Sequence, residues 1–189
     1  MCFRMEESEA TVQEQRAPIK IMIAVSKSTL KGYPHPSISS SQAFDWTLQK
    51  LIPQSCREDY QLLLLHIQVP DEDGLDDMDS IYATANDFKD MKQKEKIRGL
   101  HLLKEFVNKC NLAQVPCKCW IKEGAVKEEI CKEVKRVHPD LLVVGSRGLS
   151  SIQRMFIGTV SEHCVKHVDI PVLVIKRRPE DAPDDPSDD

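Results

Sequence analysis

Residues 61–69 read QLLLLHIQV, and this run limits the choice of fold more than any other part of the chain. Its apolar centre does not alternate with polar residues. A strand of this kind is buried on both faces, as in a parallel sheet covered by helices on each side. Four more short apolar runs, at 19–25, 115–121, 141–144 and 172–175, have strand length and composition. Between them lie stripes at helical spacing. Phe44, Leu48 and Leu51 form the first, and Leu100, Leu103, Val107 and Cys110 line a helix over roughly 87–110. Val126, Ile130, Val134 and Val137 form the third, and a last helix is expected over about 159–168. Ser39, Ser40 and Ser41 are placed to cap the first helix. Pro34 and Pro36 keep the loop before it non-helical, and Pro53 and the His138-Pro139 pair end helical regions. Strand and helix in alternation predict an α/β fold: an open, five-stranded parallel sheet with right-handed crossovers and helices on both faces, Rossmann-like.

In such sheets ligands bind beyond the carboxyl ends of the strands, where the strand order reverses. The residues just after Val25, Ile67 and Val144 are therefore the first candidates for a site. Charge narrows the ligand class. The tail 178–189 holds six acids and one Arg, and the leader 1–17 holds four acids and two Arg. Residues 18–177 are left with a net charge of +3, mildly basic and suited to a small anion, without the concentrated basic surface that nucleic-acid binding needs. The domain reading is a flexible extension over 1–17, a nucleotide-binding domain over 18–177 and an acidic disordered tail over 178–189. No stretch of about 18 apolar residues is available to span a membrane. The first twenty residues lack the apolar core of a secretory signal. Seven cysteines, an odd number, point to reduced thiols and an intracellular location.

The segment after the fourth strand carries the chemistry. Gly145-Ser146-Arg147-Gly148 is followed by nine residues and then Gly158-Thr159. Glycines at 145 and 148 can take positive φ and let backbone approach a ligand. Gly158-Thr159-Val160-Ser161 falls where the last helix begins, so free N–H groups and the helix dipole face outward and favour an anion. The spacing is neither a Walker A loop nor G-x-G-x-x-G. A second reading of the same residues is structural. Thr159-x-x-Glu162 matches a capping box, which would put a carboxylate where a phosphate would sit.

The run Val143-Val144-Gly145-Ser146-Arg147-Gly148, then Gly158-Thr159-Val160-Ser161, then Pro171-Val172-Leu173-Val174-Ile175-Lys176 resembles the universal stress protein family, in its plant single-domain, ATP-binding form. The resemblance covers about 18–177. It implies strand order 3-2-1-4-5, an adenine nucleotide (ATP or AMP, with Mg2+ accompanying ATP) at the strand ends, and a homodimer through the last strand, 172–176. Carried over residue by residue, it implies that Ala24, Val25 and Ser26 face the nucleoside. Ile67 would contact the adenine through its backbone, and Val144 and Gly145 would line the ribose side. Gly148, Gly158, Thr159, Val160 and Ser161 would hold the phosphates, with Lys27 and Arg147 adding positive charge. Many relatives have Asp where this chain has Ser26, which lowers the expected affinity without removing the ligand. The implied function is a dimeric, nucleotide-binding switch in stress response, located in the cytoplasm, the nucleus being the alternative, and free to meet protein partners. Its rivals are a slow ATPase and a nucleotide-free dimeric adaptor.

Other clusters are read as structural. The acidic loop 71–79 fails the EF-hand pattern because Gly74 falls at position four. Cys117 and Cys119 share one strand face and are assigned to packing. His66 is expected to be a packed residue at its strand end. His163 and His167, four apart on the last helix, could hold a metal on one face, but no Glu follows the first to make H-E-x-x-H. No catalytic residue and no metal ligand is assigned.

Overall fold

The computed structural model describes residues 17–69, 85–146 and 158–177. The leader, the acidic loop 71–79, the tail 178–189, Arg147 and Gly148 lie outside the described residues. The chain runs β1 (Ile19–Val25), a small hairpin of β2 (Lys27–Ser28) and β3 (Gly32–Pro36), and α1 (Ile38–Trp46). Next come β4 (Tyr60–Gln68), α2 (Ala85–Leu112), β5 (Cys117–Glu123), α3 (Val126–Val137), β6 (Leu141–Ser146), α4 (Thr159–His167) and β7 (Val172–Lys176). The main sheet has the order β5-β4-β1-β6-β7, with every neighbouring pair parallel. Counting only its own strands, this is 3-2-1-4-5, as expected.

The alternation of each central strand divides the interior into two cores. Ile21, Ile23 and Val25 of β1, Leu62 and Leu64 of β4 and Val143 of β6 point to one face, where Phe44 of α1 and Leu102, Leu103 and Phe106 of α2 cover them. Met22, Leu63, Leu65, Ile67, Leu142 and Val144 point to the other, under Ile130 and Val134 of α3 and Cys164 of α4. The centre of the 61–69 run is therefore unbroken apolar for the reason inferred: both of its faces are interior.

Several local expectations need correction. The cap of α1 is Ser37, whose extended backbone follows Pro36 and whose Oγ accepts the Ser40 N–H. Ser39, Ser40 and Ser41 lie inside the helix. The hairpin of β2 and β3 occupies what read as a plain loop, since neither Pro34 nor Pro36 needs to donate in so short a ladder. Leu100 does not line the buried face of α2 and is 45% exposed. That line runs instead through Gly99, whose added Cβ would meet the Gln68 amide and Ile121 at 2.8 Å, then Leu103, Phe106 and Cys110. A glycine at the closest approach adds nothing to an apolar stripe, so the pattern of apolar residues points to its neighbour, Leu100. The third sheet strand runs from Cys117 to Glu123, two residues later than expected. Pro116 carries its carbonyl to Leu62 N–H but cannot continue a ladder as a donor. Cys117 is half-buried and Cys119 exposed, since β5 is an edge strand, and all six described cysteines are free thiols.

Candidate functional site

β1 sits between β4 and β6, and the chain crosses to opposite sides of it. The tips of these three strands diverge there, leaving a cleft of about 460 Å3. Its floor is Ala24, Val25 and Ser26 from the end of β1, Leu65 and Ile67 from β4, and Val144 and Gly145 from β6. The walls are the first turns of three helices: Ser39 and Ser40 of α1, Val126 and Ile130 of α3, and Gly158, Thr159, Val160 and Ser161 at the start of α4. The cleft thus brings together ten of the twelve residues singled out in the sequence: Ala24, Val25, Ser26, Ile67, Val144, Gly145, Gly158, Thr159, Val160 and Ser161. Arg147 and Gly148 fall outside the described residues. Lys27, expected near the phosphates, instead lines an adjoining recess with its ammonium 5.0 Å above the Tyr33 ring.

The electrostatics follow from the backbone. The N-termini of three helices converge, and their macrodipoles place partial positive charge at the cleft. No carboxylate lines the cleft among the described residues. In α4 the helical ladder opens with Glu162 N–H donating to Gly158 O at 2.9 Å, which leaves the N–H groups of 159, 160 and 161 outside it. The capping-box alternative is not formed. Gly158, not Thr159, is the N-cap, no side chain caps the helix, and Glu162 turns away to pair with Lys166 at 2.6 Å. Ser161 Oγ donates to Gly158 O at 2.9 Å, which fixes the turn.

Gly145 does not use the positive φ open to a glycine, and Gly148 lies outside the described residues. Gly158 has φ −57° and ψ 150°, a conformation open to any residue. Among the described residues, a Cβ there would meet only Ser161 Oγ at 3.5 Å and Ser146 Oγ at 3.8 Å. Gly145 is needed for packing: a Cβ would fall 2.5 Å from the Ser39 carbonyl oxygen. It lets the first turn of α1 lie directly on β6, which carries Ser39 and Ser40 into the cleft.

Around Ser26 the hydroxyls interlock. Ser26 N–H donates to Ser40 Oγ at 2.9 Å, and Ser26 Oγ lies 2.8 Å from Ser37 Oγ and 3.1 Å from Ser40 Oγ. Ser37 Oγ in turn donates to Ser40 Oγ at 2.9 Å. This cluster joins the tip of β1 to the start of α1. Ser39, Ser40, Leu65, Val126 and Ile130 were not singled out in the sequence as site residues. The serines read as caps, and the three apolar residues are indistinguishable from core in a stripe.

His66 is packed, as expected, and 2% exposed. Its Nδ1 lies 2.8 Å from the Val25 carbonyl, which can only accept, so Nδ1 carries the proton. Nε2, 2.7 Å from the Tyr33 hydroxyl, is then the acceptor. Burial, reinforced by nearby Lys27, lowers the imidazole below its ordinary 6.5, against a smaller opposite effect of the Val25 carbonyl. The folded state therefore resists protonation that the unfolded chain accepts. Stability is expected to fall as pH drops below about 6.5 towards the lower folded value. Urea midpoints measured from pH 7.5 to 5.5 should show this decline in the wild type and a shallower one in His66→Gln; parallel curves would remove His66 from the account.

Comparison with known proteins decides the family. The model of the universal stress protein family matches residues 32–176. The chain belongs to the universal stress protein family. It is 58% identical over 172 residues to the universal stress protein A-like protein of Arabidopsis thaliana, covering 91% of this chain and 98% of that relative. A universal stress protein of Synechocystis is 25% identical over 145 residues, covering 74% of this chain and 94% of the relative. Among solved structures, a universal stress protein family protein from Arabidopsis thaliana with AMP bound superposes with a TM-score of 0.71 at 52% identity, covering 91% of this chain and all of that one. A universal stress protein from Archaeoglobus fulgidus shares the fold at 14% identity, with a TM-score of 0.56 over 84% of this chain and 98% of that one.

Proposed function

We propose that this universal stress protein binds an adenine nucleotide, AMP or ATP, in the cleft at the tips of β1, β4 and β6. The observation that carries this reading is the convergence of three helix N-termini on a cleft whose described lining has no carboxylate. The solved Arabidopsis relative with AMP bound, at 52% identity, supports the choice of nucleotide. Phosphate oxygens would meet the N–H groups of 159–161 and the hydroxyl of Thr159, while Ser161 Oγ holds the turn through Gly158 O. The apolar surface of Ile67, Val126 and Ile130 would take the base. A volume of about 460 Å3 lies within the usual range of about 300–1,000 Å3 for ligand sites. With no carboxylate in the described lining, Mg2+ would arrive with ATP, held by its phosphates and the hydroxyls beside them.

In this reading the folded unit spans 18–177, and the nucleotide favours the state in which the strand-tip loops are ordered, a population shift that reports occupancy. A homodimer through 172–176 is supported by the position of β7 at a sheet edge, where unpaired backbone groups can join a second copy. A stress-response role in the cytoplasm follows from family membership as a proposal. Nucleotide hydrolysis is no part of the reading, and slow ATPase activity is its upper bound. The test is calorimetric titration of AMP and ATP into wild type and Gly158→Asp. The added carboxylate should weaken binding at least about tenfold, since a buried polar group left unmatched costs about 1–3 kcal/mol and a charged one more. Identical isotherms for the two proteins would exclude the site. A wild type that ignores both nucleotides would favour the adaptor.

A further inference from the structure

The last turn and a half of α4 carries a feature that the cleft does not use. His163 and His167 are one helical turn apart, half-buried and exposed respectively. Their rings stack with centroids 4.1 Å apart and planes 19° from parallel. His167 Nδ1 lies 2.9 Å from the His163 carbonyl. A carbonyl cannot donate, so Nδ1 holds the proton and Nε2 presents its lone pair beside the His163 ring.

We propose that His163 and His167 form a two-imidazole site for a divalent transition-metal ion. Histidines four apart on a helix share a face, the geometry that lets two imidazoles reach one ion. A metal-ligating histidine almost always gives its other N–H to a carbonyl or carboxylate, which fixes the tautomer and ring direction; in His167 that partner is already in place. Neither ring has a further polar partner among the described residues, and the neighbouring charges Glu162 and Lys166 are taken up with each other. His167 lies in the last turn of the helix, where the macrodipole favours a cation. Nitrogen-to-metal bonds of about 2.0–2.1 Å require the rings to turn slightly out of the stack, which side chains at a helix surface can do.

The ligand class follows from the donors. Imidazole suits Cu2+, Ni2+ and Zn2+, in the affinity order Cu2+ above Ni2+ and Zn2+. Among the described residues no group of three or more His, Cys, Asp or Glu is arranged around an ion. Two nitrogens with water in the remaining positions make an open, exchangeable site, unlike a closed structural zinc centre.

The experiment is calorimetric titration of Ni2+ into the full, reduced chain and into His163→Gln, His167→Gln and the double variant, with urea midpoints confirming that each stays folded. One ion per wild-type chain is expected. Each single variant should bind at least about tenfold more weakly, since losing a direct ligand costs no less than losing an outer partner. The double variant should lose the site. Undiminished binding in the double variant, an effect from only one histidine, or no binding by the wild type would each overturn the proposal. The wild-type Ni2+ spectrum gives a readout that needs no variant. A sulfur-to-metal charge-transfer band at one equivalent would place the ion on cysteine and overturn it; its absence agrees with imidazole ligation.

Discussion

Phe44→Ala is expected to destabilise the folded chain by about 3–5 kcal/mol, the range for emptying an aromatic site in a core. Phe44 has no exposed surface and meets Phe106 of α2 edge-on, with centroids 5.0 Å apart and planes at 62°. Over this pair the Lys109 ammonium sits 5.8 Å and 5.9 Å from the two rings and reaches Asp45 of α1 at 3.2 Å. The aromatic contact and the ion pair therefore hold the same two helices together, and they are unequal. Asp45 and Lys109 are 43% and 34% exposed, so their attraction is screened and contributes at most about 1 kcal/mol. Deleting the Phe44 ring removes both its transfer free energy and its contacts, and the surrounding strands β1, β4 and β6 cannot collapse into the space. Set against a typical domain stability of about 5–15 kcal/mol, this is a large fraction. Urea unfolding should show a much lower midpoint with an unchanged slope, and Phe44→Leu should recover part of the loss. A shift below about 1 kcal/mol would mean that α1 and α2 are held by something other than this core.

The fold was open to inference because burial on both faces leaves a direct mark on composition. The unbroken apolar centre of the 61–69 run marks a central strand, and its neighbours in the sheet follow from the alternation of strand and helix. α3 was legible in full: Val126, Ile130, Val134 and Val137 mark one face, and His138 ends the helix in the left-handed conformation with Pro139 after it. Edges were less legible. β5 pairs along one edge only, so its ends were set by Pro116 and by pairing with β4, which hydropathy does not record.

The candidate site was legible in position more than in mechanism. Strand tips at a switch point gather a cleft by topology alone, and glycine spacing marked its fourth crossover. Pattern alone did not reveal which function each glycine serves. Gly145 reads as a residue that frees backbone for a ligand, but it makes room for the neighbouring helix. Thr159 and Glu162 have the spacing of a capping box, but Glu162 has a nearer cation in Lys166, and the charged pair at 2.6 Å displaces the reciprocal cap. Ser39 and Ser40 looked like caps because cap preference is a statement about residue type. Which of the four serines in 37–41 takes the position is decided by where Pro36 ends the extended segment.

Gly145→Ala is the second change with a large expected effect, and it separates packing from ligand contact. The added methyl would lie 2.5 Å from the Ser39 carbonyl oxygen, 2.7 Å from its carbon and 3.1 Å from Ser39 Cβ. The first two are backbone atoms of a helix, so no rotamer change relieves the overlap. α1 must lift away from β6, at about 1–3 kcal/mol, the usual cost of overpacking. The displacement also reaches the cleft, since Ser40 on the same turn accepts the Ser26 N–H at 2.9 Å and both serines line the wall. Nucleotide affinity, if it resides in this cleft, should fall along with stability. Gly158→Ala is the matched control: among the described residues its methyl meets only hydroxyl oxygens, at 3.5 Å and 3.8 Å, and its backbone conformation suits alanine. Urea midpoints should therefore drop for Gly145→Ala and stay near the wild type for Gly158→Ala. Equal midpoints for the two variants would show that the close approach of α1 to β6 is not what shapes this end of the sheet.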